Sequence, residues 1–418
     1  MQDGLIKPNA TLEVLSQNHH MRISLVSYLL ATFLLTSCGS EDDFTPVDTG
    51  DGDGADSINL TAVVLDTFGD NVDFNDLDNY ANQPVPQYIT KDNTAGNNIE
   101  DDKATLGRIL FYDKKLSTTE TISCSSCHQQ SKAFSDSEIA SIGVNGTTAR
   151  HSMRLVNARF ANEERFFWDK RAATLEAQVT QPIQDHAEMG YSGENGAPDF
   201  QDLVAVLGDT DYYPAIFQHI YGDTNITEAR LQEALAQFIR SIQSFDSKYD
   251  VGAAQVNNLN GQFPNFTPQE NQGKQLFQAP PGQGGGGCIG CHAAPEFDIN
   301  PNTQGNNGVI GVVNQPGAMD FTNTRAPSLR DMFNAQGQEH TAFMHDGSLA
   351  TALDVVLHYN DIDATGNPDL DVALLGGPGQ NGQNLNFTVA EMDALVAFLK
   401  TLTGSNLYTD EKWSDPFL

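Results

Sequence analysis

Residues 124–128 read Cys-Ser-Ser-Cys-His, and residues 288–292 read Cys-Ile-Gly-Cys-His. Cys-x-x-Cys-His is the attachment sequence of c-type haem: the two thiols tether the porphyrin covalently and the histidine binds the iron. A single copy would also suit a zinc site or a redox dithiol. Two copies favour haem, because a four-cysteine zinc site would not need a histidine directly after each pair. The sequence therefore predicts two covalent haem c groups, with thiols from Cys124, Cys127, Cys288 and Cys291 and iron ligands from His128 and His292.

Each haem motif follows a related segment. Residues 107–111 read Gly-Arg-Ile-Leu-Phe, and residues 273–277 read Gly-Lys-Gln-Leu-Phe. Such a repeat favours two related haem domains over one site built from both halves of the chain. The expected organisation is a leader and lipoprotein signal peptide (1–37), an acidic flexible tether (38–74), an N-terminal haem domain (75–226) and a C-terminal haem domain (227–418).

Apolar residues recur with helical spacing outside the motifs. One stripe comprises Leu231, Leu235, Phe238, Ile239 and Ile242. A second helix is predicted to begin at a capping box of Thr388 and Glu391 and to end at Gly404. Strand-like alternation is scarce, so the predicted fold class is mainly α.

The charge balance restricts the partners. The chain of 418 residues carries 55 acidic and 22 basic residues, which gives a formal net charge of −33. Phosphate binding needs cationic surface, so a nucleic-acid partner is not expected. An acidic surface suits a cationic protein partner, or solubility outside the cytoplasm.

The N-terminal region is typical of an exported protein. The apolar run at 25–35 is shorter than the about 20 residues that span a bilayer, and it follows Arg22. Leu-Thr-Ser-Cys at 35–38 resembles a bacterial lipobox, in which Cys38 would be lipidated; the alternative is an incidental cysteine after an ordinary signal peptide. We expect a lipid-anchored protein of the cell envelope, facing the periplasm or the outside.

Five further stretches carry a resemblance to a known family: 150–158 (Arg-His-Ser-Met-Arg-Leu-Val-Asn-Ala), 167–172 (Phe-Trp-Asp-Lys-Arg-Ala), 188–190 (Glu-Met-Gly), 325–330 (Arg-Ala-Pro-Ser-Leu-Arg) and 344–348 (Met-His-Asp-Gly-Ser). With the haem motifs they make the chain resemble, over roughly residues 75–405, the bacterial di-haem cytochrome c peroxidase family, which includes the di-haem enzyme that matures methylamine dehydrogenase. The resemblance implies two cytochrome-c-like domains packed against each other. It further implies that H2O2 is reduced to water at the first haem, with electrons entering through the second from a small cytochrome c or similar donor.

The resemblance also implies roles near the first haem. Glu188 would be the acid/base that moves a proton between the peroxide oxygens, although one glutamate among many is by default a surface carboxylate. Gln178 would orient peroxide or water. Trp168 would help electrons cross between the haems; the alternative is a plain core aromatic.

The second iron's far ligand departs from the commonest pattern. Where typical family peroxidases have Met, this chain has Tyr359, as the maturation enzyme does. A phenolate is a harder, anionic donor than a thioether, so it should stabilise Fe(III) and lower the potential. His358 is a rival ligand, and the remaining alternatives are no protein ligand or a Met elsewhere in the chain. By resemblance His345 and Arg325 are expected to contact the cofactor, His345 at a propionate rather than at iron.

The sequence also bears on calcium binding and on activation of the first haem. The family holds calcium between its domains through an Asn side chain and backbone carbonyls. Here His151, a poor calcium ligand, takes the Asn position, and the carbonyls would belong to His340 and Ala342. Residues 129–150 contain no His or Met that could close the first iron, so no reductive activation is expected.

Two enzyme classes follow from these features. The first is a peroxidase. The second is an enzyme that uses peroxide to oxidise a protein or organic substrate, as the maturation enzyme does. Tyr359 favours the second class and the other motifs do not separate the two, while the Glu188 pattern disfavours a pure electron-transfer protein.

Overall fold

Helices make up most of the regular structure of the chain. The computed structural model describes residues 59–161, 165–301, 303–377 and 380–418. Within them the α-helices are α1 (Leu60–Phe68), α2 (Asp101–Tyr112), α3 (Cys124–Cys127), α4 (Leu175–Val179), α5 (Gln181–Gln184), α6 (Phe200–Gly208), α7 (Tyr212–Tyr221), α8 (Glu228–Ser241), α9 (Lys248–Ala253), α10 (Pro268–Gln278), α11 (Ala352–Asn360) and α12 (Val389–Lys400). The predicted mainly α class is confirmed.

Short 3₁₀ turns and one small sheet complete the elements. The 3₁₀ turns are Gly69–Asn71, Lys114–Leu116, Gln130–Lys132, Ala158–Phe160, Glu194–Gly196, Pro281–Gln283, Cys288–Gly290, Val372–Leu374, Asn406–Tyr408 and Glu411–Trp413. Strands β1 (His292–Ala293) and β2 (Asp298–Ile299) pair antiparallel, with His292 opposite Ile299. In the described residues no helix has the length and apolar character needed to cross a membrane.

The two repeat segments form equivalent helix pairs. α2 packs on α8, and α10 packs on α12. A Cβ on Gly107 of α2 would lie 2.1 Å from the Ala234 carbonyl oxygen, and a Cβ on Gly273 of α10 would lie 1.8 Å from that of Ala394. Only glycine permits such close contact between backbones. Each repeat therefore begins with glycine because its helix crosses a second helix at that residue.

Two main apolar cores surround these pairs. The first contains side chains of α2, α6, α7 and α8; the second contains side chains of α9, α10, α11 and α12. The stripe predicted from Leu231 to Ile242 is buried, and it lies in the first core. The predicted boundary at residue 226 would place this stripe in the C-terminal domain, whereas the stripe packs with the helices that precede it. The division at residue 226 stays a prediction.

The start of the folded region corrects the predicted tether. The tether was expected to extend to residue 74, yet α1 is helical from Leu60 and its Asn59 cap accepts a hydrogen bond from the Ala62 amide. Phe68 is fully buried, with its ring 5.6 Å from that of Tyr212. Helix α1 packs against the first core because burying its apolar face is favourable. The predicted leader, Cys38 and the first part of the tether lie outside the described residues.

Candidate active site: two haem-attachment motifs

The first motif forms a single helical turn that presents its histidine. α3 begins after Ser123, whose side chain forms a capping box with Ser126. The His128 amide donates to the Cys124 carbonyl at 2.9 Å, which fixes the histidine at the end of the turn. Its Nδ1 lies 2.8 Å from the Phe134 carbonyl oxygen. Since a carbonyl only accepts, Nδ1 carries the proton and Nε2 has the lone pair that an iron ligand needs.

The second motif repeats this chemistry on a 3₁₀ turn, Cys288–Gly290. His292 Nδ1 lies 3.1 Å from the Pro327 carbonyl oxygen, so Nε2 again has the free lone pair. Burial lowers the pKa of both motif histidines, that of His292 to about 4. Both imidazoles are therefore neutral at pH 7, which is the form that binds metals.

A cavity adjoins the second motif. Its wall contains His292 and Cys291, together with the predicted ligand Tyr359. Its apolar wall includes Leu329, Met332, Phe343 and Val355. One thiol, a neutral imidazole and an apolar wall on one cavity fit a c-type haem, which is a flat apolar group tethered through sulfur.

Glu188 is brought to the first motif by the loop after α5. Its amide donates to the Asp185 carboxylate at 3.1 Å, and its carbonyl accepts from the Val144 amide at 2.9 Å. Burial is the main cause of the raised pKa of the Cys127 thiol, about 11, and the Glu188 carboxylate adds to it; the same holds for Cys124. The carboxylate therefore lies within electrostatic reach of both thiols of the first motif.

The Glu188 carboxyl has an unusual proton affinity. Burial raises its pKa to about 7, and the nearby Asp185 charge adds to the rise. Within the described residues its carboxylate accepts no hydrogen bond from the protein. A carboxyl that is half protonated near neutral pH can both take and give a proton.

Gln178 lies on α4, whose Thr174 cap accepts a hydrogen bond from the Ala177 amide. Its side chain is half-buried. In the part of the chain that the structure describes, no hydrogen bond joins the Gln178 carboxamide to Glu188. Its predicted role with peroxide stays a prediction.

Trp168 connects the two halves of the site. Its indole Nε1 donates to the His151 carbonyl at 2.8 Å, and its own carbonyl accepts from the amides of Thr324 and Arg325, both at 3.0 Å. Its ring lies 6.2 Å from that of His345, edge-on, and it lines the cavity of the second motif. This position suits the predicted electron relay, which stays a prediction.

His345 and Arg325, the predicted cofactor contacts, are both buried. His345 Nε2 bonds the Gly311 carbonyl at 2.8 Å, so only Nδ1 remains for a cofactor. Arg325 lines the cavity, where its guanidinium lies over the Phe166 ring at 5.4 Å and 3.4 Å from Asp298. Their roles at the cofactor stay predictions.

Tyr359 and His358 have different surroundings. The Tyr359 hydroxyl lies in the cavity wall, 3.1 Å from the Asn307 carboxamide nitrogen. His358 Nε2 instead bonds the Asn307 backbone carbonyl at 2.8 Å. Among the described residues that line the cavity, Tyr359 is present and His358 is not. The geometry thus favours Tyr359 as the far ligand.

Sequence reasoning missed three residues of this cavity. Met344 and Asn307 contact each other there, with the carboxamide nitrogen 3.2 Å from the sulfur. Arg154 also lines it and donates to the Ser328 carbonyl at 2.7 Å, while its Nε is buried without a partner among the described residues. Met344 falls in a stretch quoted above, but nothing local in the sequence places it beside Tyr359.

The residues at the expected calcium position do not fit calcium. His151 uses both ring nitrogens, Nδ1 with the Glu138 carbonyl at 2.7 Å and Nε2 with the Thr341 hydroxyl at 3.2 Å. The His340 carbonyl accepts from the Lys132 ammonium at 3.5 Å. Calcium requires six to eight oxygen ligands, whereas an imidazole and an ammonium occupy this place. Among the described residues no cluster of three or more His, Cys, Asp or Glu could hold a metal.

Comparison with known proteins agrees with this geometry. The family model for di-haem cytochrome c peroxidases matches residues 101–257. The methylamine utilization protein MauG of Methylophilus methylotrophus is 27% identical over 313 residues, which cover 73% of this chain and 84% of that protein. The cytochrome c551 peroxidase of Nitrosomonas europaea is 28% identical over 345 residues, which cover 78% and 85%. The chain is thus similar to di-haem cytochrome c peroxidases and to MauG proteins. Two c-type haems, predicted from the two attachment motifs, agree with this similarity.

Two solved structures share the fold. A MauG-like protein associated with microbial copper homeostasis aligns with a TM-score of 0.61 and 28% identity, covering 80% of this chain and 99% of that one. The diheme peroxidase BthA from Burkholderia thailandensis aligns with a TM-score of 0.58 at 22% identity, covering 81% and 96%. At that identity the second likeness supports the fold alone.

Proposed function

We propose that this protein reduces hydrogen peroxide to water at its first haem, with electrons delivered through the second haem from a small cytochrome c or an equivalent donor. The balanced reaction consumes one H2O2, two electrons and two protons and yields two waters. The observation that carries the proposal is the Glu188 carboxyl, whose pKa of about 7 is unusual and which lies near both thiols of the first motif.

The haem, when bound through Cys124 and Cys127, supplies a site for peroxide and a store of oxidising equivalents. The protein supplies the proton transfer. Glu188 as carboxylate accepts a proton from the inner peroxide oxygen, and as carboxylic acid it returns that proton to the outer oxygen, so that water can leave. Gln178 would orient the peroxide, and His128 would hold the iron through Nε2.

Electron delivery involves the second motif. The Tyr359 hydroxyl oxygen and His292 Nε2 would hold that iron, and Trp168 would carry electrons towards the first haem. The names of several relatives support a cytochrome donor: one is a cytochrome c551 peroxidase and others are cytochrome c peroxidases. The net charge of −33 suits a basic donor protein.

A second candidate function is oxidation of a protein or organic substrate at the expense of peroxide. It is favoured by Tyr359 lying in the cavity of the second motif, where a phenolate ligand would lower the potential. Relatives named MauG, a methylamine utilization protein, are as similar to this chain as the named peroxidases.

The deciding experiment is steady-state peroxide consumption by the holoprotein. Reduced cytochrome c and small organic donors are supplied in parallel reactions, with a variant that lacks the first-motif thiols as the control for free haem chemistry. Peroxide-dependent oxidation of cytochrome c that depends on the first motif supports the proposal. Turnover with organic donors alone would refute this proposal and support the second candidate function.

We also propose that the protein is anchored in the cell envelope by a lipid on Cys38. The support is the Leu-Thr-Ser-Cys sequence at 35–38 after a short apolar run.

A further inference from the structure

One side chain contacts both candidate donors in the cavity of the second motif. The Asn307 carboxamide nitrogen lies 3.1 Å from the Tyr359 hydroxyl oxygen and 3.2 Å from the Met344 sulfur. All three residues, with His292, line the same cavity. A phenol oxygen and a thioether sulfur, both able to bind iron, are therefore within a few ångströms of each other.

Hydrogen bonds fix both the backbone and the side chain of Asn307. Its backbone carbonyl accepts from His358 Nε2 at 2.8 Å. Its side-chain oxygen accepts from the Val309 amide at 3.1 Å, which leaves the nitrogen to face the cavity. The preceding residue is fixed as well, because Asn306 is fully buried and exchanges hydrogen bonds with Asn367. The carboxamide is thus oriented before any ligand binds.

We propose that Asn307 is a positioning residue that selects the Tyr359 oxygen over the Met344 sulfur as the far ligand of the second haem. The proposal rests on the proposed function only in requiring that the second motif carries haem. The His358 imidazole, which the sequence suggested as a rival ligand, serves instead to hold Asn307 in place.

The selection follows from the strengths of the two hydrogen bonds. An N–H donor bound to an anionic oxygen forms a charge-assisted bond, roughly twice as strong as a neutral one. A thioether sulfur is only a weak acceptor. Asn307 therefore stabilises a phenolate on the iron much more than it stabilises a free or bound thioether. The Asn307 carboxamide also donates a hydrogen bond to the Met344 sulfur, which restrains that sulfur from turning towards the iron.

The test replaces the donor and reads the ligand of the second haem. Asn307→Asp keeps the shape and the acceptor for the Val309 amide but removes the N–H groups. Asn307→Ala removes them without adding charge. In both variants the ratio of Met-ligated to Tyr-ligated second haem should rise at least tenfold, equivalent to about 1.4 kcal/mol.

The readouts do not depend on turnover. EPR and near-infrared spectra of the diferric holoprotein report sulfur or phenolate ligation, and potentiometry reports the midpoint of the second haem, which should rise when Met344 binds. Asn307→Asp/Met344→Leu should abolish the sulfur signature. The matched control is Asn314→Asp, an exposed asparagine that should change neither reading.

Three results would overturn the proposal. One is an unchanged ligand signature and midpoint in both Asn307 variants. Another is a wild-type spectrum that Tyr359→Phe leaves unchanged, since Tyr359 would then not be the ligand. The third is a wild-type spectrum that Met344→Leu converts, since Asn307 would then not favour oxygen. Absence of peroxide turnover would refute the proposed function while leaving these readings intact.

Discussion

Replacing Glu188 with Gln isolates the proton transfer at the first haem. Glutamine keeps nearly the same shape and can still form hydrogen bonds, but it cannot take up or release a proton at neutral pH. General acid–base groups contribute about 10²–10⁴-fold, or about 3–5 kcal/mol of activation free energy. Glu188→Gln should therefore bind two haems with an unchanged spectrum and react with peroxide at least about 10²-fold more slowly.

The pH dependence gives a second, independent signature. Burial raises the pKa of Glu188 to about 7, so the carboxylate that first accepts a proton from peroxide accumulates only above that pH. The rate constant for reaction with peroxide should rise as the pH rises through about 7 in the wild type, and this step should be missing in Glu188→Gln.

The assay is stopped-flow mixing of the diferric holoprotein with H2O2 over a pH series. Glu194→Gln, which changes an exposed glutamate a few residues along the chain, is the matched control and should behave as the wild type. Glu188→Gln with a rate within about threefold of the wild type would remove Glu188 from the mechanism, because a general acid–base group is expected to contribute far more.

Three further predictions concern the cofactors and the N-terminus. Mass spectrometry of protein made with a haem-attachment system should show two haem adducts, and Cys288→Ala/Cys291→Ala should show one; a single adduct in the wild type would contradict the assignment of both motifs. Treatment with EGTA followed by gel filtration should leave the peroxide reaction and the thermal midpoint unchanged, because His151 and Lys132 occupy the expected calcium position; bound calcium by elemental analysis would disprove this. Cys38→Ala should move the protein from the membrane fraction to the soluble fraction, and a wild type that is already soluble would show that Cys38 carries no lipid.

Local sequence patterns were sufficient where the chemistry is local. Helical periodicity identified the stripe from Leu231 to Ile242, because it depends on neighbours within one or two turns. The haem ligands that the Cys-x-x-Cys-His spacing indicates stay a prediction. The capping box of Thr388 and Glu391 is also confirmed.

Other features depend on residues far apart in the chain. Gly404 was expected to end α12, but the helix ends at Lys400 and the Gly404 amide donates to Asp331. A Cβ there would lie 2.3 Å from a carboxylate oxygen of Asp246, so this glycine serves tertiary packing rather than helix termination. Periodicity cannot distinguish these two uses of glycine.

The cavity of the second motif shows the same limit. Asn307 and Tyr359 are 52 positions apart, and their contact arises only when the loop around Asn307 is fixed against α11. The family pattern identified Tyr359, whereas Asn307 lies in an Asn- and Gly-rich loop that gives no signal of its own.

The most direct measurement is the EPR spectrum of the fully oxidised wild-type protein, followed by rapid mixing of the same sample with H2O2. Residues 129–150 contain no His or Met, and Lys132 donates to the His340 carbonyl, so no side chain of that segment is expected to close the first iron. A high-spin first haem that reacts with peroxide at once, without prior reduction, is the predicted result. A first haem that is wholly low-spin, or that reacts only after reduction of the second, would contradict an open peroxide site beside Glu188.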